Sequence, residues 1–412
     1  MQFLTKYKTQ ILLLFAFVYL LIEAQNTNDF DIFYAASNDL FQGVEIYNKL
    51  YAQWYHYLYS LLFTLVLFPL TFLPVYVAKL IWLCLNLFLL FRIQKIIRDY
   101  FLKIQLSEKK TNWILFLLFI FSLRFIRDNF HLAQMTIFIL YSIVEGMDLI
   151  WKKKEIQGAA LLALGINIKL MPLVFLPYLF WKGYFKAFSL TVFFILIYFF
   201  IPIVILGPDN FFKQIHSWWN LINPSQTKHI IDTEERSFHS LTTLIPTLFM
   251  ENVPDQFALP IKRNLANLSV EQVNKIILLF RLFLIVLTLF FIGFKPFEKE
   301  ENSFKNWRDL SYLCLIIPLI FPHQQFYAFL LCIPAVSCLL IFWHSMQGNK
   351  NTLSHITFVS LLLVYLCFNL SLLLGEFNAY YEHFKIITYG ALLIVIVLIL
   401  NRKNKIFSRN TI

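Results

Sequence analysis

Residues 158–185 read GAALLALGINIKLMPLVFLPYLFWKGYF. Two apolar runs, 156–168 and 170–181, flank a single lysine, Lys169, and basic residues bracket the pair: Lys152, Lys153 and Lys154 before it, Lys182 and Lys186 after it. Each run is shorter than the roughly 20 residues a lone helix needs to cross a bilayer. The pair therefore predicts broken or tilted helices packed inside a membrane protein, with Lys169 at their shared end.

The rest of the 412-residue chain repeats the pattern. It is 59% hydrophobic and 14% charged, with 47 Phe and a mean hydropathy of +0.66, well above the roughly 45–50% apolar share of soluble domains. Further apolar runs lie near 9–24, 73–91, 113–125, 131–150, 187–206, 275–294, 309–321, 326–344, 355–375 and 385–401. The expectation is an all-α polytopic membrane protein, one integral domain over residues 1–412, with about 12 transmembrane helices (roughly 10 to 13). The run after Lys6 and Lys8 lacks a small-x-small cleavage site, which predicts a retained helix.

Threading these runs from an inside N-terminus puts 22 Lys and Arg in the tails and inside loops, while the short outside turns hold only Arg124, Arg127, Lys169 and Lys385. Seven separate segments agree on this positive-inside bias, so both termini are expected in the cytoplasm. The chain is expected in the plasma (inner) membrane. The net charge of +11 comes from residues between apolar spans, which argues against a nucleic-acid partner. The lack of Walker motifs argues against an ATP-driven pump. The five Cys all lie in apolar runs without metal-ligand spacing, which predicts neither disulfide nor zinc.

Two polar segments fall on the predicted outer face. The first, QNTNDFDIFYAASNDLFQGVEIYN (25–48), opens a loop and juxtamembrane stretch over 25–72. Its apolar part, YLYSLLFTLVLFPL (57–70), is too short to cross and reads as an interfacial or re-entrant helix ended by Pro69 and Pro74. The second, 207–274, reads as a partly ordered loop or lid.

Ionisable groups at the edges of spans are costly, and here they converge on the same face. They are Arg124, Arg127, Asp128 and His131 between the third and fourth spans, Lys169 between the fifth and sixth, and His323 between the ninth and tenth. Each has a structural alternative: Arg124, Arg127 and Lys169 can snorkel to headgroups, His131 and Gln134 can pair between helices, and His323 can sit in an interfacial turn. Arg281 and Lys79 read as snorkelling or paired, and Glu145 and Asp148 as structural. In the opening loop, Asp39 and Glu45 read as solvated, whereas the aromatic and small residues IFYAA after Asp29 and Asp31 pin those two carboxylates to the interface opposite the basic groups.

These residues carry a resemblance. DFDIFYAASNDLFQGVEIY resembles the first outer loop of glycosyltransferase family 87 of the GT-C superfamily, with Asp29, Tyr34, Ala36, Gly43 and Tyr47 at matching positions. YLYSLLFTLVLFPLTFLP is similar to the family's juxtamembrane segment. HLAQMTIFIL keeps Gln134 of a Gly-Gln-x-Asn helix start but has Ala133 for Gly and Thr136 or Ile137 for Asn. Gly158, Lys169 and Pro172 stand in the family's order; SFHSL keeps Ser240 and Leu241 with Phe238 and His239 for Asn-Gln; PHQQFYAF resembles a late His-bearing turn around His323.

The resemblance, over roughly residues 9–345, implies a GT-C fold and a hexosyltransferase of the cell envelope. Its donor would be a polyprenyl-phosphate sugar, commonly mannose, and its acceptor a lipid or glycan. It implies Asp29 as general base with Asp31 as rival. Arg124, Arg127, His131, Gln134, Lys169, His239, Ser240 and His323 would bind donor phosphate or sugar, and Tyr34, Gly43 and Tyr47 would position the loop. No cofactor and no metal are expected, and the chain is expected to act as a monomer. The competing function is a transporter or flippase of a lipid-linked sugar or other anion, which would use the same basic groups.

Overall fold

Every apolar stretch named above is helical in the computed structural model, which describes residues 8–51, 55–104, 106–223, 226, 231–233, 235–251, 253–255, 258–346 and 352–402. Along the chain the helices are α1 (Lys8–Glu23), α2 (Asp29–Phe41), α3 (Leu61–Leu67), α4 (Val75–Lys103), α5 (Glu108–His131), α6 (Thr136–Trp151), α7 (Glu155–Ile168), α8 (Phe175–Trp181) and α9 (Phe185–Leu206). Then follow α10 (Pro208–Ile222), α11 (Leu241–Phe249), α12 (Val270–Ile292), α13 (Ser303–Ile320), α14 (Ile333–Ser345), α15 (Thr352–Asn369), α16 (Asn378–His383) and α17 (Ile386–Leu400). Short 3₁₀ turns join several of them, and among the described residues β pairing is limited to two isolated bridges, Leu50 with His56 and Phe238 with Gln325.

The expected count of about 12 spans is not reached by length and composition. Five helical stretches are long and apolar enough to cross a bilayer: Val75–Lys103, Phe185–Leu206, Val270–Ile292, Phe326–Ser345 and Thr352–Leu372. A sixth arises if Gly375–His383 and Ile386–Leu400, bent by 60°, act as one span. The shortfall has a physical reason. α6 and α7 have 16 and 14 residues, and α5 and α13 carry charges at their ends; such helices survive in a membrane interior because neighbouring helices, rather than lipid, surround them.

Burial sorts the long helices. Of Phe326–Ser345, 89% is buried and it runs through the middle, packed against α5, α13 and α17; of Phe185–Leu206, 11% is buried, leaving a lipid-facing wall of Phe, Ile and Val. The tightest crossing is between α6 and α7, where a Cβ added at Gly158 would lie 2.5 Å from the Gly146 carbonyl oxygen. Small residues let two backbones touch, the usual way helices associate where lipid removes the hydrophobic drive between them.

The two long polar segments are more regular than the sequence reading expected. The opening segment is a helix, α2, and the 207–274 segment contains α10 and α11. Asp39 and Glu45, expected to be merely solvated, hold ion pairs with Lys49 and Lys213, each at 2.5 Å. α10 is thereby tied back to the opening segment, with Gln214 donating to the Val44 carbonyl (2.7 Å) and the Trp218 indole to that of Leu58 (3.2 Å). At the other end of the bundle Arg92 pairs with Glu145 (2.9 Å), Lys152 with Asp148 (2.6 Å) and buried Lys182 with Asp309 (3.3 Å).

Candidate active site

The site begins at the first turn of α2. Asn28 caps the helix: its side chain accepts from the Phe30 N–H (3.2 Å), while Asp31 accepts from the Asn28 N–H (2.8 Å), a capping box that satisfies otherwise orphaned donors. The same Asp31 oxygen takes the ammonium of Lys79 (2.9 Å), a residue of α4 that is 3% exposed and also bonds the Asn26 carbonyl (2.6 Å). Asp31 is thus occupied in starting the helix and anchoring it to α4. Asp29, two positions earlier, points elsewhere.

The loop-positioning residues hold this helix in place. Tyr34 donates to the carbonyls of Thr71 (3.1 Å) and Leu73 (2.9 Å), and buried Tyr47 donates to the carbonyl of Tyr59 (2.8 Å). Gly43, at φ +79°, closes the C-terminus of α2 in the left-handed region that side chains resist.

Asp29 accepts a hydrogen bond on Oδ2 from the amide of Gln134, a buried residue in the turn between α5 and α6. The Gln134 oxygen in turn accepts from the Tyr59 hydroxyl (3.3 Å), so the amide is oriented with its donor toward the carboxylate. Ala133, just before it, adopts φ +50° and its carbonyl takes the Trp82 indole (2.9 Å). This is the position where the resemblance expects Gly, and the backbone shape explains why.

Lys169 completes the centre. It follows the last residue of α7, ahead of a 3₁₀ turn that Pro172 helps to start, and its ammonium lies 5.6 Å over the Tyr59 ring. Burial and the nearby carboxylate of Glu235 push Asp29 up to about 6, against the opposing pull of Gln134 and Lys169. Burial draws Lys169 down to about 8, with Asp29 opposing. A carboxylate that takes and releases protons near neutrality beside a half-buried cation is the pairing a general base and an anionic leaving group require.

A second strand of chain reaches this centre from the 207–274 segment. Residues 235–239 pair with the turn 322–326: the His239 N–H donates to the Gln324 carbonyl (2.8 Å), the Phe326 N–H to that of Ser237 (3.1 Å), and Phe238 bridges Gln325. His323, at φ +54°, places Nδ1 2.7 Å from buried Asp232, whose carboxylate also accepts from the His323 N–H. Glu235 accepts from Ser237 (3.2 Å) and from the Gln325 amide (3.3 Å). Ser240, at the start of α11, meets Thr242 (2.6 Å), and His239 is fully buried against Phe329 with neither ring nitrogen bonded.

The remaining basic candidates are engaged with other partners. Arg124 is 4% exposed and spans from Asp128 (3.5 Å) to the Tyr381 hydroxyl (2.9 Å), over the rings of Phe326 and Tyr381. Arg127 projects outward beside Asp128 (3.3 Å). His131 pairs with Glu23 of α1 (2.9 Å) while its carbonyl accepts from Asn28 (3.1 Å). Asp29, Gln134 and Lys169 are therefore the group that the fold gathers. Glu235 joins them although sequence reasoning did not single it out; the signal was an acidic residue two positions ahead of the SFHSL stretch.

The profile of glycosyltransferase family 87 matches residues 57–368, three quarters of the chain. The chain belongs to glycosyltransferase family 87. No curated protein matches the chain. Within this glycosyltransferase the matched region contains Gln134, Lys169, Glu235, His239, Ser240 and His323, whereas Asp29 lies ahead of it. The family gives the reaction class, glycosyl transfer; the site residues stand on their geometry.

Proposed function

We propose that this glycosyltransferase moves a hexose, with mannose first in order, from a polyprenyl-phosphate donor to a hydroxyl of a lipid or glycan acceptor, at the outer face of the membrane and with inversion. Asp29 takes the proton of the acceptor hydroxyl as its oxygen attacks the anomeric carbon. The bond from that carbon to the phosphate oxygen breaks, and polyprenyl phosphate departs. A phosphate is already a stable anion, so the carboxylic acid that glycosidases use to protonate their leaving group has no work here. Lys169 meets the departing charge instead.

The observation that carries the reading is the convergence of Asp29, Gln134 and Lys169 in a chain of this family. Donor, acceptor and face follow from the family resemblance and the positive-inside bias. The experiment is transfer of labelled hexose from polyprenyl-phosphate-hexose in membranes, wild type beside Asp29→Asn and Asp31→Asn. Loss in the first and retention in the second is expected; full transfer by both variants rejects Asp29 as base.

A further inference from the structure

Glu235 is the charged group of the site that the mechanism above leaves unused. It is half-buried, among the described residues it has no ion pair, and burial and Asp232 raise its proton affinity while Ser237, His323 and Tyr55 oppose the rise. Asp29 lies within its field, and Glu235 raises the proton affinity of Asp29 more than any other charged group does. Two carboxylates brought together at partial burial destabilise a fold unless something uses them. The hydrogen bonds of Glu235 to Ser237 and Gln325 only add to a loop already clasped by Asp232 and His323 and by the backbone bonds at Ser237 and His239.

What surrounds Glu235 is the chemistry that recognises a sugar. Ionised, it is an acceptor only, with oxygens that suit the donors of neighbouring hydroxyls. Gln325 supplies an amide beside it, and the phenols of Tyr55, Tyr59 and Tyr327 gather around the two carboxylates. Tyr59 and Tyr327 are buried beneath these groups, with the Lys169 ammonium over the Tyr59 ring. The arrangement is assembled from four distant parts of the chain: α2, the stretch 55–59, the clasped segment 235–239, and the turn 322–327.

We propose that Glu235, with Gln325, forms a hydroxyl-binding subsite for a hexose next to Asp29, and that it is a specificity-determining residue of the transfer reaction. This deepens, and rests on, the reading of Asp29 as the base. The charged and titratable groups facing Asp29 are Glu235 from the clasped segment, Lys169 from the turn after α7 and Asp31 on its own helix, with the Gln134 amide from the turn after α5; those facing Glu235 are Asp232, His323 and Tyr55. Removing the Glu235 charge therefore relieves repulsion on Asp29 and moves its titration toward lower pH.

The test is the full chain in membranes with labelled polyprenyl-phosphate-hexose, varying donor and acceptor separately. In Glu235→Gln the KM of one hexose-bearing substrate rises by about tenfold, as loss of one charge-assisted hydrogen bond implies, while kcat above neutral pH stays within a few-fold and the acid limb of the profile moves to lower pH. A rise for the donor places the subsite on the transferred hexose; a rise for the acceptor places it on an acceptor sugar. Glu235→Asp, which keeps the charge but draws it back, raises the same KM and leaves the acid limb in place. The proposal is overturned if Glu235→Gln, folded by its thermal transition in detergent, leaves both KM values and the limb unchanged; it is equally overturned if no folded Glu235→Gln forms and Glu235→Asp keeps both KM values. Asp29→Asn run alongside separates the two readings, since its retained activity rejects the base without reference to Glu235.

Discussion

Replacing Gln134 by Leu removes the amide that donates to Asp29 and keeps the side-chain volume close. A hydrogen bond to a charged group is worth about 1.5–3 kcal/mol, and because Asp29 is half-buried, with solvent able to take over part of the bond, the lower end applies. At about 1.4 kcal/mol per pKa unit this is about one unit. The sign follows from which form Gln134 favours: it donates to the carboxylate, so its loss raises the pKa from about 6 toward about 7. A base works only when ionised, so transfer rises with pH through that value. At pH 6.5 the ionised fraction falls from about three quarters to about one quarter, and near pH 8 the two enzymes differ little on this account. The alkaline limb belongs to Lys169, which loses its charge as pH rises through about 8. The assay is the initial rate of hexose transfer in membranes from pH 5 to 9, read as the position of the acid limb, which does not depend on how much folded enzyme each preparation holds. An acid limb that stays within about two tenths of the wild-type position would refute the coupling of Gln134 to the base.

Three further outcomes are expected. Asp31→Asn keeps an acceptor for the Asn28 N–H but strips buried Lys79 of its counter-ion, so the thermal transition in detergent should fall by an amount equivalent to about 1–3 kcal/mol while transfer per folded molecule is kept; a selective loss of transfer would make Asp31 the base. Lys169→Met should raise the donor KM and lower kcat, with Lys169→Arg restoring part of both, and equal donor kinetics in Lys169→Met and wild type would remove Lys169 from the phosphate site. Ala133→Gly relieves a left-handed backbone and should leave the transition unchanged or raise it by up to about 1 kcal/mol, whereas Ala133→Val should lower it; a marked loss on going to Gly would show that the methyl group, rather than the backbone, matters there.

The helices were legible from residue patterns because they follow from local composition. Runs such as 187–206 and 326–344 are apolar along their length, and they emerge within a residue or two as Phe185–Leu206 and Phe326–Ser345. What depends on neighbours was not legible. Whether a 14-residue apolar helix such as α7 crosses a membrane is decided by the helices around it, and the Gly146–Gly158 contact that seats it is a property of two segments together. Arg124 and Lys169 illustrate the same limit within the site. Both are single cations at the end of an apolar run, yet one is consumed by Asp128 and Tyr381 while the other is left facing Asp29.

Partnership also sorts the carboxylates. Asp29 and Asp31 occupy the first turn of one helix, where backbone N–H groups favour negative charge on either. Asp31 gains a backbone donor and a buried ammonium, which occupy its carboxylate in holding the start of the helix to α4. Asp29 gains one amide and a lysine beyond bonding distance, and stands within the field of Glu235, so burial outweighs its stabilisation. The difference that suits one to the proposed role of base and the other to that of anchor comes from Lys79, Gln134 and Glu235, which lie 48, 105 and 206 residues from the carboxylates they act on. A motif centred on the aspartates records their presence; their division of labour is set by which of these distant groups the fold turns toward each.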